Sequence, residues 1–71
     1  MNHLFTPALR DNAIETTCSN MVMAGLLEPH EVGMFMTRLT GLDDYELGRQ
    51  FCASLMLLDS YYERNTLERR N

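Results

Sequence analysis

No lysine occurs in this chain: all six basic residues are arginines, opposed by ten carboxylates, and the formal net charge is −4. Two of the arginines, Arg69 and Arg70, fall in the last three residues, so the body ahead of them is more acidic still, which disfavours a phosphate backbone as ligand. No apolar run approaches the roughly 20 residues needed to cross a bilayer. The opening stretch MNHLFTPALRDN lacks the basic region, apolar segment and small-residue cleavage site of a signal peptide, so a cytoplasmic location is expected. Cysteine is sparse. Cys18 and Cys52 stand in helical surroundings, and in a reducing compartment two buried thiols are expected rather than a disulfide.

The chemistry-bearing patterns are missing as well. His3, Cys18, His30 and Cys52 are each alone in their local sequence, whereas zinc sites commonly show ligands two to four residues apart, so no metal is expected. Asp43, Asp44 and Glu46 cluster, but without the oxygen-rich loop of a calcium hand; helix capping accounts for them. There is no glycine-rich phosphate loop and no cysteine or serine beside a base. Seventy-one residues leave little room for a ligand cavity. Neither a cofactor nor an enzymatic activity is expected.

What is present is helical periodicity. From Asp43 to Arg64 the stretch DDYELGRQFCASLMLLDSYYER has the outline of one long helix. Asp43 and Glu46 have the spacing of a capping box, and the acidic first turn suits the positive end of the helix dipole. Leu47, Phe51, Leu55, Leu58 and Tyr62 form its predicted core stripe, with Glu46, Arg49, Ser60 and Arg64 on the polar side. Ahead of it, Thr6 and Pro7 read as N-cap and first position of a helix that places Ile14, Cys18, Met21 and Val22 on one side and stops near Gly25. Ala13, Thr17 and Ala24 make a small-residue flank suited to a close helix crossing, and Leu4 and Phe5 an apolar hook before it. Pro29 opens a short helix carrying Val32, Phe35, Met36 and Leu39, ended by Thr40 and Gly41; Gly33 inside it suggests a second close crossing, the alternative being a tolerated defect.

The fold expected is therefore all-α: a single helical domain over residues 1–71, a small three-helix bundle or helical hairpin with helices at about 7–25, 29–40 and 44–64 and a tail at 65–71. A chain of this length buries only roughly 60 to 65% of its unfolded surface, and self-association is a common remedy. Surplus apolar residues point the same way. Met23, Met34, Met56, Leu57 and Tyr61 fall on faces that a three-helix core need not fill, and methionine adapts readily at binding surfaces. Tyr61 and Tyr62 point about 100° apart, so one can enter the core while the other serves a partner. The expected interaction residues are Met56, Leu57 and Tyr61 with Arg49 and Asp59 at the rim, and the expected partner is a protein, either a host protein or a second copy. The alternative is a DNA-binding helix-turn-helix made of the second and third helices, which would need Arg38 and Arg49 but would present Asp44, Tyr45 and Glu46 to the bases.

The stretches FTPALRDNAIE and GLDDYELGRQF resemble the small early-region proteins of lambdoid bacteriophages encoded between exo and xis, and the likeness covers most of the chain. The resemblance implies a helical phage protein made early, which influences host functions or the choice between lysis and lysogeny. It implies no catalytic or ligand-binding residue.

Overall fold

A computed structural model describes residues 5–69, with side chains as far as Thr66; His3, Leu4 of the hook, and the side chains of Leu67, Arg69 and Arg70 lie outside the described residues. Three α-helices and no strand make up the described chain: α1 (Pro7–Met23), α2 (Val32–Thr40), entered through a 3₁₀ turn at Pro29–Glu31, and α3 (Asp44–Arg69). The protein is a small all-α three-helix bundle.

Each helix starts and stops for a local reason. Thr6 has extended backbone and its hydroxyl accepts from the Leu9 amide at 3.2 Å, with Pro7 following in the first helical turn. At the other end of α1, Gly25 takes φ +76° while its amide donates to the Val22 carbonyl and that of Leu26 to Met21, the paired bonds of a Schellman motif. Pro29 opens the 3₁₀ turn, and Glu31 Oε1 accepts from the Glu28 amide at 2.9 Å. Asp43 Oδ1 accepts from the Glu46 amide at 2.8 Å and so caps α3. The other half of the capping box is replaced: the Glu46 carboxylate turns to Arg49 instead, at 3.4 Å.

The three helices run up, down and up, which makes α1 and α3 parallel. Arg10 meets Asp44 and Asn20 meets Ser54, both thirty-four residues apart, and Gly25 lies beside Tyr61 further along. That offset aligns Ala13, Thr17 and Asn20 of α1, and Ala24 at its C-cap, with Leu47, Phe51, Ser54 and Leu58 of α3. Every one of these is buried or half-buried. The spacing alternates four and three residues on both helices, the rhythm of a coiled-coil seam. The predicted small-residue flank of α1 is this seam, with Asn20 added.

α2 closes one side of the pair. Leu39 is 2% exposed and Leu47 0%, and they join Ala13, Ile14 and Cys18 in the core, against which Phe5, Val32, Phe35, Met36 and Leu42 pack. The predicted apolar face of α2 is thus the observed one. Fully burying a leucine is worth about 1.5 to 3 kcal/mol, so Leu39 and Leu47 carry much of this small core.

Four expectations are corrected. Leu55 and Tyr62 are 45% and 48% exposed, and the seam is kept instead by Ser54 and Tyr61. Steps of four residues drift around the helix, whereas the partner α1 holds the contact to a mean step of 3.5. Cys52 is exposed, because it lies on the side of α3 turned away from the seam; only Cys18 is buried. Gly33 has nothing within 4 Å of where a Cβ would stand, so no helix crosses there. Finally, α3 continues through the tail to Arg69, since Glu63 to Arg69 contains no helix breaker; α1 ends at Met23 with its capping motif at Gly25, the stop expected.

Candidate interaction surface

Because α2 covers only one side of the α1 and α3 pair, the other side is an open groove. Phe5 sits at its head. Its amide donates to Asp44 Oδ2 at 3.3 Å, and its ring end stands 4.0 Å from a Cβ position at Gly48, so it is clasped between the starts of α1 and α3. Below it, Leu9, Asn12, Ala13 and Thr16 of α1 and Phe51 of α3 line a hollow of about 290 Å³. The lining contains no charged side chain. One turn beyond Phe51, Leu55 stands out from the same flank, and Tyr62 follows two turns later.

The groove ends in a second hollow of about 380 Å³, lined by Met23, Tyr61, Tyr62, Asn65 and Thr66, again without a charge. Tyr61 and Tyr62 bracket it with ring centroids 5.9 Å apart and planes tilted by 60°, a favourable aromatic arrangement. Leu9, Met23, Leu55 and Tyr62 remain roughly half exposed along this face. In a chain with sixteen charged residues out of seventy-one, two uncharged hollows on one side set that side apart.

The end of the bundle where α1 and α3 begin is locked electrostatically. Arg10 Nη1 donates to Asp44 Oδ1 at 2.6 Å, while Nη2 donates to the Thr40 carbonyl at 3.1 Å and also to that of Leu42. One guanidinium therefore ties α1 to the end of α2 and the start of α3. Its fork geometry suits this task, since a lysine offers a single point charge. Within the seam, Asn20 Nδ2 donates to Ser54 Oγ at 3.2 Å, and Ser54 donates to the Phe51 carbonyl at 2.7 Å. The buried Thr17 hydroxyl donates to Ala13 at 2.7 Å. No buried side-chain nitrogen or oxygen among the described residues lacks a hydrogen-bond partner.

The residues expected at an interface are not brought together. Met56, 71% exposed, lies on the side of α3 opposite the seam, as does Arg49 one heptad earlier, which pairs with Glu46. Leu57, 43% exposed, falls on the flank that starts with Gln50 beside α2. Asp59 is exposed on the far rim of the groove. Tyr61 alone reaches the groove, from its place in the seam. Leu9, Phe51, Leu55 and Tyr62 form the groove without having been singled out for it. Their signal lay in the heptad spacing that runs through Ser54, a polar residue in an otherwise apolar stripe.

The start of α3 puts carboxylates first. Asp43 caps, Asp44 is held by Arg10, and Glu46 engages Arg49, a charge order unfavourable to a nucleic-acid backbone. Among the described residues no group of three or more His, Cys, Asp or Glu side chains could hold a metal ion, and no helix is long and apolar enough to cross a membrane. Comparison with protein-family models, curated proteins and solved structures gave no match.

Proposed function

We propose that this chain is a small helical protein-protein interaction module that offers the groove between α1 and α3 to a helix of a partner protein. The observation that carries this reading is the pair of hollows with uncharged linings on the side opposite α2, with Leu9, Phe51, Leu55 and Tyr62 along that side. An apolar strip between two helices is where a third amphipathic helix docks in a bundle. The resemblance to lambdoid early-region proteins supports a setting in which a phage protein modulates host functions, or the balance of lysis and lysogeny, by occupying such a partner.

Capture from bacterial lysate, with the chain immobilised through its C-terminus, tests the reading. A partner retained by the wild type and by Met56→Glu, but lost with Leu55→Glu, is the result expected. Equal retention by all three, or loss only with Met56→Glu, would move the binding face to the far side of α3.

A further inference from the structure

Resting on that reading of the groove, we infer that its occupant is an amphipathic helix of another protein, bordered along its apolar stripe by arginine or lysine and carrying two bulky anchors about eleven residues apart. Spacing sets the anchors. The two hollows lie at Phe51 and at Tyr62, eleven residues and three turns apart on α3, or about 16 Å along its axis. A helix laid along the groove presents positions i and i+11 on one face at that same separation, so one side chain reaches each hollow.

Charge sets the border. Asp59 stands on the rim between the two hollows, one turn past Leu55, and Glu63 follows one turn later, further out on the same side of α3. Both carboxylates are exposed, and neither makes a hydrogen bond or ion pair among the described residues. The arginines whose side chains are described all stand elsewhere. Arg10 is bound to Asp44 and the end of α2, Arg49 pairs with Glu46 opposite the seam, and Arg38 belongs to α2. Arg64 comes one heptad after Leu57, on the flank turned away from the groove.

The groove therefore has an uncharged floor and, on its α3 side, an acidic edge with no described arginine beside it. A basic residue flanking the partner's apolar stripe meets two unengaged carboxylates on a chain of net charge −4, whereas an acidic residue there meets like charge. The floor supplies contact area and the edge supplies the choice of partner.

The experiment is fluorescence anisotropy with three labelled helical peptides that share one leucine stripe, its anchors eleven residues apart, and differ only in having arginine, glutamine or glutamate beside the stripe. The protein is used as wild type, as Leu9→Gln, as the double variant Asp59→Asn with Glu63→Gln, and as Asp11→Asn with Glu15→Gln, which removes the same charge from the outer face of α1. All the replaced side chains are exposed, and circular dichroism checks each fold. The result expected is that the wild type binds the arginine peptide about fivefold or more tighter than the glutamine peptide, the size of one or two exposed ion pairs, and the glutamate peptide weakest. That preference should vanish in the Asp59 and Glu63 double variant and persist in the Asp11 and Glu15 one, while Leu9→Gln weakens all three peptides. Equal binding of the arginine and glutamine peptides would overturn the inference and leave the groove open to a neutral helix. A preference that survives loss of Asp59 and Glu63 would overturn it too, by tracing the effect to net charge. Failure of every peptide, or a wild-type dimer in sedimentation that Leu9→Gln dissolves, would also overturn it; the lysate capture with Leu55→Glu judges the groove itself separately.

Discussion

Asn20 of α1 and Ser54 of α3 are joined side chain to side chain at 3.2 Å inside the helix seam, thirty-four residues apart, the same separation that links Arg10 to Asp44. The pair fixes how the two parallel helices align. A single polar contact at a seam position is a familiar means of setting register, because any slip leaves it unpaired in a dry interface. Ser54→Ala should destabilise the fold by about 1 to 3 kcal/mol by stranding the Asn20 amide. The double variant Asn20→Ala with Ser54→Ala should lose less than the sum of the two single changes. Urea unfolding followed by circular dichroism measures all three, and strictly additive losses would mean that the two side chains act independently.

Arg10 links three helices through one guanidinium, and its removal should be felt at the ends of α2 and α3 together. Both it and Asp44 keep about a fifth of their side-chain surface exposed, at 23% and 20%, so solvent screening reduces the value of the pair. Arg10→Ala is expected to cost about 1 to 2 kcal/mol, some 4 to 16 °C in melting temperature for a domain of this size. Arg10→Lys should recover only a part, since an ammonium cannot serve the carboxylate and both carbonyls at once. Thermal melts of the two variants decide this, and full rescue by lysine would reduce the contact to a simple charge attraction.

The glycines at 25 and 33 should respond in opposite directions to the same substitution. Gly25 sits at φ +76° in the capping motif of α1, and although a Cβ there would meet Tyr61 only at 4.0 Å, the left-handed backbone is strained for any L residue. Gly25→Ala should cost about 1 to 2 kcal/mol. Gly33 lies within α2 with open space around it, so Gly33→Ala should stabilise by about 0.5 to 1 kcal/mol through helix propensity alone. Paired unfolding curves at equal protein concentration test both signs.

Most of the fold was legible because its determinants are local. Thr6 with Pro7, Gly25, Pro29 and Asp43 each set a helix end by their own side chain or backbone, and each does so in the structure. The apolar face of α2 was equally plain, since nine residues allow little drift. The groove was not legible, because it depends on how α3 rotates against α1. That rotation is set by Asn20 and Ser54, which are polar and so invisible to a search for apolar stripes. Once Ser54 enters the seam, Leu55 and Tyr62 move out to the groove and Tyr61 moves in. Arg10 escaped notice for a similar reason, as its three acceptors lie thirty or more residues away.

Cys18 and Cys52 should separate cleanly in reactivity and in their effect on pH stability. Cys18 is 3% exposed and burial pushes its thiol above the ordinary range, whereas Cys52 is open to solvent. A disulfide-exchange reagent added to the native protein should therefore titrate one thiol quickly and the second only at the rate of opening of the fold. The shift at Cys18 has a defined sign. Between the unfolded thiol value, roughly 8.5, and the raised value in the native state, the unfolded chain has released a proton that the folded chain still holds, so stability falls as pH rises through that window. Below it Cys18 contributes no slope. The urea midpoint should hold steady with respect to this group up to about pH 8 and then decline, and the Cys18→Ala variant, though less stable throughout, should lose that part of the decline. Two thiols reacting at the same fast rate, or an alkaline slope unchanged in the variant, would place Cys18 in contact with water.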